Sequence, residues 1–418
     1  MIAKDVMEFI DRSPTSYHVV DNIRMMAAGF VELDPAEAWQ LEKGGRYFLV
    51  NDDGAVVLFR MGSDDPETML FRIATSHSDS PGFRLLPDGI EDGDDHVRLD
   101  VEVYGSPIFS AWMDRPLSIA GRVLVHDGDA VRSRLVDFHA PVVTIPNLAL
   151  HLNGEVNKGH VYKIGKDLVP IGSAAWKDGG FLRALAELAD ARPEDVLDYD
   201  LYLYPYEASS VIGAEEEWIQ APRLDNLATA YTAVRALFDA DAPADTTAVV
   251  LITDNEEIGS TTKSGGDSTF FANTLRRIAR GAGEEGFYRA LARSFILSAD
   301  MTHASHPNYP ERGNKSCAPV LGGGVTVKVA ASRSYATQGM SAARFKYLMR
   351  TLGLTVQDFA NPHGQRGGTT IGPLGLRHLD ILSADVGIPL WSMHSVRETV
   401  AAKDVDDMYR AFVGYFRF

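Results

Sequence analysis

The stretch AVVLITDNEEIGS (248–260) joins an apolar run to a cluster of acidic residues. Its first part, AVVLI (248–252), is typical of a strand that is buried on both faces of a sheet. Directly after it, Glu256 and Glu257 repel each other and lose hydration unless a positive group compensates them. Solvent, an arginine or a metal ion could compensate this pair of carboxylates.

The segments on either side predict an α/β fold. LDNLATAYTAVRALFDA (224–240) has helical periodicity, and a helical stretch follows around 269–293. SFILSAD (294–300) and VGIPLWSMHS (386–395) are apolar strands that end in polar residues. Upstream, two helices joined at SPTS (13–16) precede a group of strands, which are GRYFLV (45–50), AVVLFR (55–60) and ETMLFRIATSH (67–77). Alternating strands and helices indicate a parallel or mixed central sheet covered by helices on both faces.

Residues 85–222 differ from the rest of the chain in their pattern of residue types. Segments of alternating or β-branched residues are separated there by Gly, Asp and Pro, and they are HVRLDVEVYG (96–105), RPLSIAGRVLVHDG (115–128) and HAPVVTIPNLALHLN (139–153). Helical periodicity is confined to GGFLRALAELADA (179–191). We therefore predict a mainly β unit over 85–222, inserted into a domain formed by 1–84 and 223–418.

Composition limits the function classes. Of 418 residues, 45% are hydrophobic and 23% are charged, as in an ordinary globular protein. The net charge of −17 makes nucleic acid and anionic membranes poor partners. Cys317 is the single cysteine, which excludes an intramolecular disulfide and a thiolate zinc cluster. The opening MIAKDVMEFIDRS reads as an amphipathic helix and no apolar run is long enough to span a bilayer, so we expect a cytoplasmic protein.

Potential metal ligands occur in five short stretches, each at a predicted strand end or helix start. The stretches are TSHSDSPG (75–82), RLDN (223–226), DNEEIGS (254–260), SADMTHASHPNYPE (298–311) and SMHSVRET (392–399). In sheets of this type, ligands gather outside the carboxyl ends of the strands. The five stretches are therefore expected to converge at one edge of the sheet.

Each candidate has a purely structural alternative. His77 alone could be a satisfied histidine, Asp225 a helix N-cap and Asp300 the cap of a turn, while His394 could pair with Glu398. Together, however, imidazoles and carboxylates at one sheet edge form a ligand set suited to zinc, manganese or cobalt. We therefore favour a metal centre.

The number of carboxylates indicates two ions. Asp225 is the candidate that bridges them, because it is predicted to start a helix at the centre of the set. Asp79, two residues after His77, is placed to accept the second imidazole N–H and orient the ring. Adjacent side chains of an extended segment point in opposite directions, so one of Glu256 and Glu257 would bind metal while the other acts as general base.

The motifs also match a known family in order along nearly the whole chain. The sequence resembles the aspartyl aminopeptidase family of dinuclear zinc exopeptidases. The matching motifs are SPTSYH (13–18), HSDSP (77–81), WMDRPLSIAGRV (112–123), IPNLALHLN (145–153), RLDNL (223–227), EEIGS (256–260), SADMTHASHPNY (298–309), RSYAT (333–337) and MHSVRE (393–398).

The resemblance implies a role for each matching position. One zinc ion would be held by His77, Asp225 and Asp300, and the other by Asp225, Glu257 and His394. Glu256 would be the general base, with Asp79 in support. Substrate contacts are implied for His303, Lys328 and Tyr335, and His151 would reach the active site of a neighbouring subunit. The implied fold is an α/β metallopeptidase core with an inserted β-rich dimerisation domain, assembled as a dodecamer that admits peptides.

The resemblance further implies release of one N-terminal residue, with acidic residues preferred. Lys328 could pair with a substrate carboxylate, or it could neutralise local carboxylates or contact the carbonyl side. This chain departs from the family at Ser78, at Asn255 and above all at HGQRGGTTIGP (363–373), where Gly367–Thr370 replaces Cys-Gly-Ser-Thr. That loop is expected near the substrate side chain, so acidic specificity is in question, although Arg366 could preserve it.

Two rival functions are consistent with the same residues. A deacylase or carboxypeptidase could use the same dimetal site, and it would not require a free substrate amine. A non-catalytic assembly could keep the metals as a structural element, but it would leave Glu256 without a purpose.

Overall fold

The computed structural model of the protein describes residues 2–365 and 367–418. Arg366, one of the residues considered for acidic specificity, lies outside the described residues. The chain forms two compact units. The first comprises the residues up to Asp79, Ser209–Met393 and Glu398–Phe418, and the second comprises Ser80–Ala208 and His394–Arg397.

The described part of the chain folds into helices and strands with the following bounds. The helices are α1 Ile2–Asp11, α2 Ser16–Met26, α3 Val156–Gly159, α4 Ile164–Asp167, α5 Gly180–Leu188, α6 Leu224–Asp239, α7 Phe270–Ile278, α8 Gly283–Arg293, α9 Gly339–Thr351, α10 Ile371–Gly375 and α11 Ala402–Arg417. The strands are β1 Val31–Glu32, β2 Arg46–Asn51, β3 Ala55–Arg60, β4 Leu70–His77, β5 Gly82–Asp92, β6 His96–Tyr104, β7 Leu117–Asp127, β8 Ala130–Asp137, β9 Val143–Thr144, β10 Ile171–Ser173, β11 Val196–Pro205, β12 Ser210–Ile212, β13 Trp218–Ala221, β14 Thr246–Thr253, β15 Phe295–Ala299, β16 Thr302–His303, β17 Val325–Lys328, β18 Val356–Phe359, β19 Leu382–Gly387, β20 Pro389–Trp391 and β21 Glu398–Ala401.

A nine-stranded mixed sheet forms the centre of the first unit, in the order β1-β2-β3-β14-β4-β15-β19-β17-β18. The strands β14, β4, β15 and β19 run parallel, whereas β3 is antiparallel to β14 and β17 is antiparallel to β19. Alternate residues of β14 enter two separate cores, with Val250 among residues of α1, α2, α6, α9 and α11 and Val249 among residues of α7 and α8. Helices therefore cover both faces, which explains the unbroken apolar run of AVVLI. The expected mixed sheet flanked by helices is confirmed.

The register of the parallel strands brings their carboxyl ends together. His77, the last residue of β4, pairs with Thr253, the last residue of β14. On the other side of β4, Ser298 of β15 pairs with Thr75. Asp300 and the acidic run after Thr253 therefore leave the sheet at the same edge as His77. A second, five-stranded sheet of this unit has the order β12-β13-β21-β20-β16.

The second unit is built on a seven-stranded antiparallel sheet. The strand order is β11-β5-β6-β10-β9-β7-β8, and an additional pairing of β11 with β7 joins distant strands of that order. The predicted mainly β character is confirmed, and within 139–153 the strand structure is confined to Val143–Thr144. Pro141 and Pro146 flank that short strand, and neither can donate a ladder hydrogen bond.

Among the described residues, no helix combines the length and the apolar character needed to cross a membrane.

Candidate metal centre

His77 is the centre of a compact group of carboxylates in the first unit. Its Nε2 atom lies 3.5 Å from Asp225 Oδ1, 3.6 Å from Asp300 Oδ1 and 4.0 Å from Glu256 Oε2. The imidazole is buried, with 1% of its side chain exposed, and Asp225 is almost as deeply buried. One ring nitrogen thus faces three carboxylates in a place that water hardly reaches.

Two sets of potential ligands meet at this histidine. The atoms of His77, Asp225 and Asp300 lie within 4.8 Å of one another, as do those of His77, Glu256 and Glu257. Imidazole nitrogen and carboxylate oxygen at such spacing fit zinc in charge and in donor chemistry. The structure thus brings together the sequence-predicted residues of the first unit, and their assignment as ligands is taken up under the proposed function.

The pKa values of the two glutamates show that their ionised forms are disfavoured in the metal-free protein. Burial raises the pKa of Glu256 to about 8, and the carboxylates of Asp300, Asp79 and Asp225 add to this rise while His77 opposes it. Burial also raises the pKa of Glu257 well above its usual range. A divalent cation reverses this effect, because it favours the ionised form of every carboxylate around it.

The pKa of His77 is raised, as expected for an imidazole that is surrounded by carboxylates when no metal ion is bound. Burial alone would lower the pKa of His77, but hydrogen bonds to Asp225, Asp300 and Asp79 raise it well above its usual range. The surrounding carboxylates therefore favour the protonated ring in the metal-free protein. A metal ion bound at Nε2 would have to displace that proton.

These shifts predict how the stability of the metal-free protein depends on pH. Between pH 4.5 and about 8, folded Glu256 keeps a proton that the unfolded chain releases, and raised Glu257 and His77 act in the same direction. Stability falls with pH wherever the folded state binds more protons. We expect the melting temperature of chelator-treated protein to fall as the pH rises through this range, and the increase caused by zinc to be larger at the alkaline end. Calorimetry at a series of pH values tests this, and a metal-free melting temperature that rises with pH would contradict it.

The backbone around the two glutamates differs from the expected extended segment. Glu256–Ile258 forms a turn of 3₁₀-helix that begins after Asn255, which has a left-handed conformation with φ of 58°. The argument that Glu256 and Glu257 point apart because they lie on a strand was therefore wrong. Any division of roles between them depends on the turn instead.

Asp79 holds that turn in place. Its Oδ1 accepts the Glu256 N–H at 3.1 Å, and its Oδ2 accepts the Glu257 N–H at 3.1 Å. The Nδ1 atom of His77 lies 3.0 Å from the Asp79 carbonyl oxygen and 3.3 Å from Oδ1. The predicted contact with His77 is present, whereas the bonds to the glutamate turn were not foreseen. A carboxylate that accepts the first N–H groups of a helical turn is a frequent arrangement, but its partner is 177 residues away in sequence.

Asp225 does not begin a regular helix as expected. Asp225, with φ of −81° and ψ of 106°, and Asn226 have non-helical backbones within the bounds of α6. The N–H of Asp225 donates to Glu398 Oε2 at 2.9 Å, and the Asn226 amide donates to the Ala299 carbonyl at 2.9 Å. These bonds fasten the bend to β21 and β15 and direct the Asp225 carboxylate toward His77. The contribution of Glu398 was not predicted.

Lys328 forms an ion pair within the group. Its Nζ lies 2.8 Å from Asp300 Oδ2, and only 2% of the lysine side chain is exposed. Burial alone would raise the pKa of Asp300, but the Lys328 ammonium and His77 lower it below its usual range. The same Nζ lies 5.6 Å from the ring centre of Tyr335, which is also buried. Lys328 thus neutralises a local carboxylate, one of the alternatives left open by the sequence.

A cavity of about 400 Å³ in the first unit is lined by residues that lie close to Tyr335. Its lining includes His303, Phe359, Arg312 and Gly367. The Phe359 ring centre is 6.3 Å from that of Tyr335, and a side-chain carbon on Gly367 would lie 3.0 Å from the Tyr335 hydroxyl. Glycine at position 367 therefore allows the 363–370 loop to approach Asn361 and Tyr335 closely.

Two sequence-predicted residues belong to the second unit. His394 has a left-handed backbone with φ of 68°, and its Nδ1 lies 3.0 Å from the Ser106 carbonyl oxygen. His151 is exposed on a turn. Their roles as a metal ligand and as a contact to a neighbouring subunit stay predictions.

Comparison with known proteins gives consistent matches over nearly the whole chain. Residues 9–416 match the family described as aminopeptidase I zinc metalloprotease, M18. A probable M18 family aminopeptidase 2 of Clostridium novyi is 39% identical, covering 97% of this chain and 96% of the relative.

Solved structures agree with this match. A chain in the cryo-EM structure of the Ape4 and Nbr1 complex has a TM-score of 0.95 and 31% identity, covering 99% of this chain and 85% of that one. The S. cerevisiae mApe1 dodecamer has a TM-score of 0.87 and 28% identity, covering 99% and 96% of the two chains.

Proposed function

The chain belongs to the M18 family of zinc metalloproteases, which makes it a metal-dependent aminopeptidase, and from this premise we propose a two-metal site with Glu256 as the general base. The observation that carries the proposal is the placement of His77 Nε2 against Asp225, Asp300 and Glu256 at 3.5–4.0 Å. A bound divalent cation would relieve the repulsion among these carboxylates and allow them to ionise in a buried place.

The ligands are assigned from this geometry and from the family motifs. His77, Asp225 and Asp300 would hold one zinc ion, and Asp225, Glu257 and His394 would hold the second. Asp225 would be the ligand common to both ions, which its burial and its position 3.5 Å from His77 Nε2 support. Manganese or cobalt could replace zinc, since both accept the same donors.

When bound, the ions would lower the pKa of water and polarise the substrate carbonyl. Glu256 would take the proton from the attacking water and deliver it to the amine of the departing peptide. Asp79 would support that transfer by fixing the turn that carries Glu256, through its bonds to both glutamate N–H groups. Tyr335 or His303 would stabilise the oxyanion as it forms.

A preference for acidic substrate residues would require a cationic side chain that can bind the substrate carboxylate. The Lys328 ammonium forms an ion pair with Asp300, so its charge is largely neutralised within the site. Arg312 and His303 line the neighbouring cavity and could meet an acidic side chain there. We propose a peptide substrate with a free N-terminal amine, with Asp or Glu as the residue to test first.

A panel of aminoacyl-anilides tests this function. Asp, Glu, Leu, Lys and Ala anilides, each assayed with zinc, manganese and cobalt, should release amine only when metal is present. An N-acetylated peptide should be inert, because an aminopeptidase requires the free amine that a deacylase or carboxypeptidase would not. Hydrolysis of the acetylated peptide alone would contradict the proposal, and a preference for Leu would exclude acidic specificity.

The second unit carries features that favour a homo-oligomer. Large apolar side chains are exposed along its 148–164 segment, and they are Leu148, Leu150, Leu152, Val161 and Ile164. Contiguous exposed apolar side chains mark surfaces that bury against a partner. The mApe1 neighbour is a dodecamer, and we propose a homo-oligomer of that kind for this chain, built from dimers. A cytoplasmic location is part of the same proposal, in keeping with the net charge of −17.

A further inference from the structure

Asp385 is a buried carboxylate that none of the proposed roles uses. It lies on β19 and is fully buried. Its strand pairs in parallel with β15, and Asp385 is in register with Ser298, two residues before Asp300. A carboxylate at such a place costs free energy unless several donors satisfy it.

The donors come from two loops that border the substrate side of the site. The N–H of Ala336 donates to Asp385 Oδ2 at 2.6 Å, and the Thr370 hydroxyl donates to Oδ1 at 2.5 Å. The N–H of Asp385 itself donates to the Thr337 hydroxyl at 2.8 Å. One residue thus connects the loop that carries Tyr335 with the end of the 363–370 loop.

The approach of the second loop depends on a glycine. A side-chain carbon on Gly372 would lie 2.7 Å from Asp385 Oδ1 and 3.0 Å from the Ser298 hydroxyl. The shorter distance is one that real side chains essentially never show, so any other residue at this position would force Asp385 or the IGP segment to shift. The close approach that this glycine permits is the one that lets Thr370 bond to the carboxylate.

We propose that Asp385 is a positioning residue that sets the location of Tyr335 and of the Thr370–Gly372 segment relative to the reacting carbonyl. The inference rests on the proposed function, in which Tyr335 stabilises the oxyanion. Asp385 acts through the N–H of Ala336, the residue next to Tyr335. The Tyr335 ring is buried and packs edge-on against Phe359, with 6.3 Å between ring centres, so the position of its hydroxyl depends on the position of its loop.

Substitution by asparagine separates the acceptor role from side-chain size. The amide in Asp385→Asn keeps one oxygen, so either Ala336 or Thr370 loses its acceptor and faces an NH₂ donor. Thr370→Val removes the second donor while leaving the carboxylate intact, and its nearly equal volume limits any effect on packing. Ser383→Ala is the matched control, because Ser383 is buried on the same strand and its hydroxyl bonds to no group among the described residues.

The experiment measures kcat, KM and bound zinc for the full-length protein on its best anilide substrate. We expect Asp385→Asn to lower kcat by roughly 10- to 100-fold with little change in KM or zinc content, since small displacements of a reacting group have effects of this size. Thr370→Val should lower kcat several-fold, and Ser383→Ala should match the wild type. In a Tyr335→Phe background, Asp385→Asn should change kcat by less than about threefold, because residues that act together are not additive.

The other possible outcomes distinguish a failure of the positioning role from a failure of the proposed function. Unchanged kcat in Asp385→Asn and Thr370→Val, or effects fully additive with Tyr335→Phe, would overturn the positioning role while leaving the aminopeptidase intact. If Asp385→Asn fails to fold, Thr370→Val with its Tyr335→Phe double variant decides in the same way. A wild-type protein that releases no amino acid with any of the metals would instead overturn the proposed function.

Discussion

Glu256→Gln should keep the fold and the bound zinc while lowering kcat by roughly two to four orders of magnitude. The amide has the shape of the carboxylate but cannot accept the proton of the attacking water. The backbone N–H of residue 256 still donates to Asp79, so the turn should stay in place. Steady-state kinetics together with metal analysis by mass spectrometry measure both effects.

A comparison with the adjacent glutamate separates base from ligand. Glu256 and Glu257 both lie within reach of His77, so geometry alone allows either to bind metal. Glu257→Gln should lose zinc, whereas Glu256→Gln should retain it. If Glu256→Gln loses zinc and Glu257→Gln retains it, the roles of the two residues are the reverse of those proposed. Near-normal turnover in Glu256→Gln would exclude Glu256 as the general base.

Asp225→Asn should lose both zinc ions and with them all measurable activity. Asp225 is the ligand proposed to be common to both ions, and a neutral amide is a much weaker ligand for zinc than a carboxylate. The Asp225 N–H donates to Glu398 through the backbone, so the substitution leaves this bond available. Metal content, kcat and the melting temperature with and without zinc give the readout.

The stability of this variant distinguishes loss of metal from loss of fold. The metal-free variant should stay folded, because the amide keeps an oxygen that can face His77 while one of the mutually repelling charges is removed. Zinc should raise the melting temperature of the wild type but not that of Asp225→Asn. Asp245→Asn, which changes an exposed aspartate before β14, is the control and should behave as the wild type. Retention of two zinc ions by Asp225→Asn would contradict a shared ligand.

The sequence predicted the edge of the sheet at which the site lies. AVVLI and FILSA are unbroken apolar runs, and the residues that follow them, Asp254–Glu257 and Asp300, are acidic. A strand buried on both faces has to be apolar over its whole length, so its end is visible as the first polar residue. Since parallel strands end at the same edge, the grouping of His77 with these residues followed from local patterns alone.

The orientation of those side chains was decided by contacts between distant parts of the chain. The glutamate turn is held by Asp79, 177 residues earlier, and the bend at Asp225 is held by Glu398, 173 residues later. Asp385 fastens Ala336 from 49 residues away. Hydrophobic periodicity reports burial at each position, but it contains no information about which donor meets which acceptor. By itself the sequence determined the elements, the sheet edge and the kinds of ligand, whereas tertiary packing alone decided which carboxylates face His77 and which ones hold the backbone, because those partners meet only in the folded chain.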